Sequence, residues 1–334
     1  MEIYFHFGMP RTASKFFEQR VYGKFQDKDI IVNPPEFSEF IKFAIYKKVN
    51  NETLRKAKED IDNILGKMKA KKILIHNWIA MDPWLQSYGD YHTIIKYCFP
   101  DAKVIMMMRY QVDWIVSLYN LSSQKQCYQD IKGFLTYSNN KFNPVTREPL
   151  KPNESASSVR KNRLDINTVR IPDLFKQYYN TLGEHNYKII FFEDFLKNKS
   201  AVVGDICKYI GVSTPHIVDF SSIGKSPSAF TTKLMHLIYY GFGIYTPSFS
   251  ASQERKNRNF FARAYMSFAV RLNQLIFSSN YDISEKRNLD KLFYYNWDIL
   301  KKDGLRDKLD KIFKEDNKKL LEFIPREKIP DVYL

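Results

Sequence analysis

The stretch Ile3-Tyr4-Phe5-His6-Phe7-Gly8-Met9-Pro10-Arg11-Thr12-Ala13-Ser14-Lys15-Phe16 passes from an apolar run through a polar turn into helical spacing. Ile3 to Phe7 predicts a strand, and the residues after it predict a helix over Ser14 to Phe25. A strand that feeds a helix through such a turn aims backbone N–H groups and the positive end of the helix at one point, where an anion binds. Arg11 and Lys15, with the hydroxyls of Thr12 and Ser14, can add charge-assisted hydrogen bonds to phosphate or sulfate oxygens. The turn is not a Walker A loop, because the G-x-x-x-x-G-K-[ST] spacing is absent and no glycine precedes Lys15. An NTPase is therefore disfavoured. The same residues also fit a plain strand-turn-helix connection in which Ser14 only caps the helix.

Outward from this stretch, short apolar runs alternate with helical patterns through the first two thirds of the chain, which predicts an α/β fold with a parallel sheet covered by helices. Five strands are expected, at Ile3 to Phe7, Asp29 to Val32, Lys72 to His76, Lys103 to Met108 and Lys188 to Phe192. Helices are expected at Pro35 to Val49, Glu52 to Lys69, Pro83 to Cys98, Gln111 to Ser122, Ile171 to Leu182 and Ala201 to Ile210. Residues 138–168, with Asn139-Asn140, three prolines and the run Arg160-Lys161-Asn162-Arg163, read as a long loop. After Ile223 the pattern is helical, at Lys233 to Phe242, Phe260 to Phe277, Glu285 to Leu300 and Leu305 to Phe323. No repeat and no clean linker interrupts the chain. It reads as one domain over 1–334, an α/β nucleotide-binding core (1–222) with a mainly helical extension (223–334) packed on it.

Hydrophobic residues at 44% and aromatics at 16% of 334 residues exclude a disordered chain. No stretch approaches the roughly 18 to 20 apolar residues that span a bilayer. A strand at residues 2–7, with no basic and apolar leader ahead of it, leads us to expect a cytoplasmic protein. Cys98, Cys127 and Cys207 are widely spaced and odd in number, so they suggest neither a disulfide framework nor a metal knuckle. The net charge of +15 calls for an anionic partner without saying which. The basic residues are scattered, which argues against a specific nucleic-acid site. The aromatic, basic segment Phe260 to Phe277 suits peripheral contact with an anionic membrane, although such stripes more often pack in a core.

A second constellation is Phe99-Pro100-Asp101-Ala102-Lys103-Val104-Ile105-Met106-Met107-Met108-Arg109, a turn and buried strand ending on a cation, with Ser117 eight residues on in the next helix. The carboxyl end of a parallel strand is where α/β proteins bind ligands, and these two side chains could share one phosphate there. Arg109 could also be an ordinary ion-pair residue and Ser117 a helix-surface serine. A third constellation is Phe191-Phe192-Glu193-Asp194-Phe195-Leu196, followed by Val202 to Val212.

Together these motifs resemble the sulfotransferases that use 3′-phosphoadenosine 5′-phosphosulfate (PAPS). The first is similar to their 5′-phosphosulfate loop, G-x-P-[KR]-[ST]-[GA]-[ST], with Gly8, Pro10, Arg11, Thr12, Ala13 and Ser14 on the pattern, then Lys15, and with Phe16 where an aromatic often lies near the adenine. Ala13 replaces the commoner glycine, which leads us to expect a loop less open to positive φ. The second is similar to the family's 3′-phosphate motif, with Phe99, Pro100, Ala102, Lys103, Arg109, Asp113, Ser117 and Tyr119 matching. The third is similar to its "YEDL" segment, with Phe192 in the place of an aromatic beside the adenine. Ile312 to Leu320 looks like the closing helix, and Arg255-Lys256-Asn257-Arg258 could act as its basic loop.

The resemblance implies a P-loop-like three-layer α/β fold and a bacterial-type enzyme that moves a sulfuryl group from PAPS to a hydroxyl or amine, releasing 3′-phosphoadenosine 5′-phosphate (PAP), without a metal. Arg11 would contact the departing phosphate. His76, ending its strand, would take the acceptor proton, with Asp82 in reserve. The implied acceptor is a glycan, a glycolipid or a small hydroxylated molecule. Two other classes remain open on the residues alone: a phosphotransferase with a degenerate nucleotide loop, and a non-catalytic basic module that binds anions or glycans.

Overall fold

The computed structural model describes residues 1–25, 27, 29–37, 50–76, 91–124, 130–145, 163–217, 219–220 and 299–334. The chain divides into two compact units, one of Met1–Tyr119, Ile131–Lys225 and Leu300–Leu334, the other of Asn120–Asp130 and Ser226–Ile299. Of the second unit only residues 120–124, 130 and 299 are described. The fold below is that of the first.

Five parallel strands form its sheet: β1 (Glu2–Gly8), β2 (Ile30–Val32), β3 (Lys72–His76), β4 (Lys103–Met108) and, after a small hairpin, β7 (Tyr187–Phe191), in the order β2-β3-β1-β4-β7. β1 is central and buried along its length after Glu2. This follows from its sequence, since a strand covered on both faces must be apolar on both. Phe5 and Phe7 point to one layer, against Phe99, Tyr91 and Tyr178. Tyr4 and His6 point to the other, against Tyr209, Phe17 and Tyr22. Each buried Phe contributes about 1.5–3 kcal/mol relative to an exposed one. The parallel sheet flanked by helices is the architecture the alternating pattern predicts.

The helices begin with α1 (Ser14–Phe16), followed by α2 (Asn51–Lys67), α3 (Tyr91–Cys98), α4 (Gln111–Gln124) and α5 (Ile131–Phe134). Further along are α6 (Ile171–Leu182), α7 (Phe192–Lys197), α8 (Lys199–Ile210) and α9 (Leu305–Asn317). Asn50 and Thr53 form a reciprocal cap at the start of α2. Gly211, in the left-handed region at φ 73°, ends α8.

The expected single helix over Ser14 to Phe25 is instead α1, a π-helix at Phe17–Val21 and a 3-10 turn at Tyr22–Lys24. The buried pairs Phe16-Phe17 and Val21-Tyr22 repeat every five residues, and only a widened turn sets both on the sheet, with the rings of Phe17 and Tyr22 5.8 Å apart. The loop expected over 138–168 contains a hairpin, β5 (Tyr137–Ser138) with β6 (Lys141–Phe142). Asn139 (φ 51°) and Asn140 (φ 59°) close it as a left-handed pair, the conformation that suits a two-residue hairpin turn. Asp29 lies outside its strand, its carbonyl accepting the N–H groups of Lys71 and Lys72 at 3.0 and 2.8 Å. Phe192 opens α7 rather than ending β7.

Cys98 and Cys207 are buried thiols. Cys127, Asp82, Arg255 to Arg258 and the expected helices at Lys233 to Phe242 and Phe260 to Phe277 lie outside the described residues, as does most of the helix expected at Glu285 to Leu300. Among the described residues no helix is long and apolar enough to cross a membrane, and no group of three His, Cys, Asp or Glu could hold a metal ion.

Candidate functional site

All five strands run the same way, so Gly8, His76, Met108 and Phe191 end on one edge of the sheet. The loop from Met9 to Ala13 lies on that edge, because the Met9 N–H donates to the Met107 carbonyl at 3.1 Å. Trp114 Nε1 donates to the Pro10 carbonyl at 2.8 Å, and the buried Thr12 hydroxyl donates to the Met9 carbonyl at 2.6 Å. Thr12 thus ties the loop together through the hydroxyl expected to face a phosphate. It also explains Gly8, where a Cβ would sit 2.4 Å from Thr12 Oγ1.

Arg11 (φ 72°) and Ala13 (φ 62°) both adopt the left-handed conformation. Contrary to the expectation from its side chain, Ala13 does not keep the loop from positive φ. It adopts that conformation at an intrinsic cost of about 1–2 kcal/mol, a strain the surrounding contacts must offset. Ala13, not Ser14, is the residue that caps α1, and it provides no side-chain hydrogen bond to the first turn. The reading of Ser14 as a mere helix cap is therefore wrong. Lys15 is exposed beside it.

The two motifs meet here. Arg11 Nε donates to Ser117 Oγ at 3.3 Å, and Arg109 Nη1 donates to the Arg11 carbonyl at 3.2 Å. Arg109 is braced through its backbone N–H on Met9 Sδ at 3.4 Å and through its guanidinium, 4.9 Å above the Phe192 ring. Burial pulls the pKa of both arginines down, and for Arg11 the neighbouring Arg109 pulls the same way. Asp113 and Glu193 oppose the effect at Arg109. Both guanidiniums stay charged, so two neighbouring cations partly removed from water favour an anion.

Phe16 is buried among Phe17, Phe195 and Phe220, with the Phe220 ring stacked on it at 6.1 Å. Phe192 is half-buried and stacks on Phe195 at 6.0 Å.

His76 sits two register positions from Gly8, paired with His6 of β1. Its backbone N–H donates to Asn33 Oδ1 at 2.7 Å, and burial pushes its imidazole down to about 4. The imidazole is neutral at pH 7. Two partners escaped the sequence reading. The His6 ring lies 5.0 Å from His76, the Tyr22 ring lies 5.2 Å from it, and His6 Nδ1 is hydrogen-bonded to the Tyr22 hydroxyl. The available signal was a histidine inside an otherwise apolar central strand, a buried polar group that needs a partner.

No protein-family model matches the chain, and no curated protein matches it in sequence. Solved structures that resemble it include sulfotransferases and a PAP complex of retinol dehydratase. A sulfotransferase from Alicyclobacillus acidocaldarius is 16% identical, with 79% of this chain and 99% of that one covered and a TM-score of 0.46. A mouse sulfotransferase complexed with PAP is 14% identical over 64% of this chain and 60% of its own, with a TM-score of 0.32. Retinol dehydratase complexed with retinol and PAP is 10% identical over 84% and 82%, with a TM-score of 0.23. At these identities the nucleotide and acceptor readings rest on the site residues themselves. In its architecture, the first unit is an α/β fold with a central parallel five-stranded sheet flanked by helices.

Proposed function

We propose that the chain is a sulfotransferase, moving a sulfuryl group from PAPS to a hydroxyl or amine of a glycan, glycolipid or small hydroxylated acceptor. The observation that carries this reading is the meeting of Arg11, Arg109 and Ser117 on the strand edge. The loop of Gly8, Pro10, Arg11, Thr12, Ala13, Ser14 and Lys15 holds the 5′-phosphosulfate. Arg109 and Ser117 hold the 3′-phosphate, with Phe192 beside the adenine; Phe16, buried among Phe17, Phe195 and Phe220, backs that side through Phe195 rather than stacking on the base.

In the reaction the acceptor oxygen forms a bond to sulfur as the bond from sulfur to the bridging phosphate oxygen breaks. PAP leaves with the electron pair. Arg11 stabilises the charge that grows on the departing phosphate, a term that is large in a dehydrated site. His76 accepts the acceptor proton; its imidazole is neutral at pH 7, and because burial holds its pKa at about 4 it is a weaker base than a histidine poised near 7.

Titration with PAP tests the reading. A ligand at 100 times its Kd stabilises the folded chain by about 2.7 kcal/mol, so the melting temperature should climb with PAP concentration. No shift at millimolar PAP would sink the proposal.

A further inference from the structure

The carboxyl-terminal turn Asp331–Tyr333 folds back onto the strand end that carries Arg109. Tyr333 is buried, its ring 5.5 Å from Tyr110 and 5.0 Å from Phe191. Its hydroxyl donates to Glu193 Oε2 at 2.7 Å, while Glu193 Oε1 accepts the backbone N–H of Tyr110 at 2.9 Å. One carboxylate thus joins the last turn of the chain to the peptide that follows Arg109.

The neighbouring groups belong to the same network. The Tyr333 carbonyl accepts from Asn317 Nδ2 at 3.2 Å, and Asn317 exchanges two hydrogen bonds with Gln111, at 2.6 and 3.1 Å. The Tyr110 hydroxyl donates to Asp310 Oδ1 at 2.6 Å. Both residues after Arg109 are therefore anchored by α9 and the segment beyond it.

We infer that Glu193 and Tyr333 are positioning residues for the Arg109 guanidinium and set the site's preference for a nucleotide with a 3′-phosphate. The inference rests on the nucleotide reading above. Glu193 acts through the backbone: its two oxygens are engaged by the Tyr110 N–H and the Tyr333 hydroxyl. Among the described residues Arg109 forms no ion pair within 4.0 Å, so its charge is available to a phosphate. Burial keeps the Tyr333 hydroxyl protonated and therefore a donor.

The test compares Kd for PAP with Kd for adenosine 5′-phosphate, ligands that differ only in the 3′-phosphate. It uses full-length wild type, Tyr333→Phe, Glu193→Gln and Arg109→Ala, with melting temperatures recorded in the same buffer. The preference for PAP should fall about fivefold in Tyr333→Phe, the worth of one hydrogen bond, and further in Glu193→Gln. Affinity for adenosine 5′-phosphate should hold in both, and Arg109→Ala should abolish the preference. A wild-type preference that survives in Tyr333→Phe and Glu193→Gln, while their melting temperatures drop, overturns the inference and leaves a structural role only. A wild type that does not distinguish the two ligands overturns the nucleotide reading itself, and this inference with it.

Discussion

Arg109 donates from its guanidinium to the backbone carbonyl of Arg11 at 3.2 Å, across 98 residues of chain. The contact joins the strand end of β4 to the loop after β1, so that one motif braces the other. Replacing Arg109 by alanine removes this brace together with a phosphate ligand. A charge-assisted hydrogen bond is worth about 1.5–3 kcal/mol, which predicts a rise of roughly 10- to 100-fold in the Kd for PAP. Calorimetric titration of the variant measures it, and an unchanged Kd would remove Arg109 from the site.

Gly8 is expected to tolerate no side chain. A Cβ there meets Thr12 Oγ1 at 2.4 Å, and that oxygen is held by its own bond to the Met9 carbonyl. Gly8→Ala should destabilise the chain by about 1–3 kcal/mol, the usual cost of overpacking. Adding Thr12→Ala should recover part of the loss, because the two residues share one space. Denaturant midpoints of the single and double variants decide it.

His76 makes stability depend on pH. Its folded pKa is about 4, below the ordinary 6.5, so between these values the unfolded chain binds more protons than the folded one. Stability is therefore full above pH 6.5 and falls as the pH drops toward 4. His6, also held well below its ordinary value by burial, adds to the slope. Melting temperature against pH should flatten in His76→Asn. If His76 is the base, that variant should also lose about 10²- to 10⁴-fold in turnover, measured with any accepted substrate.

Asn317 and Gln111 are both fully buried and satisfy each other's amides. Asn317→Ala leaves the Gln111 amide without that partner, at a cost of about 1–3 kcal/mol. Chemical denaturation should register this loss without a change in the slope of unfolding.

The sheet was legible in the sequence because a parallel strand covered on both faces needs a continuous apolar run, and such runs at Ile3 to Phe7, Lys72 to His76 and Lys103 to Met108 lie within one residue of the observed strands. The hairpin at Asn139-Asn140 was missed because left-handed asparagines also mark ordinary loops. The five-residue spacing of the pairs Phe16-Phe17 and Val21-Tyr22 was present in the sequence, but a 3.6-residue template hides it.

By itself the sequence determined the strands, the turn from Gly8 to Ser14 and the strand-end position of Arg109, all local matters of apolar spacing and chain punctuation. Tertiary structure alone decided that Arg11 meets Ser117 from 106 positions away, that His76 pairs with His6, and that Tyr333 reaches Glu193. These relations depend on the register between parallel strands and on how the chain end packs. Both come from burying surfaces distant in sequence, and no local pattern encodes them.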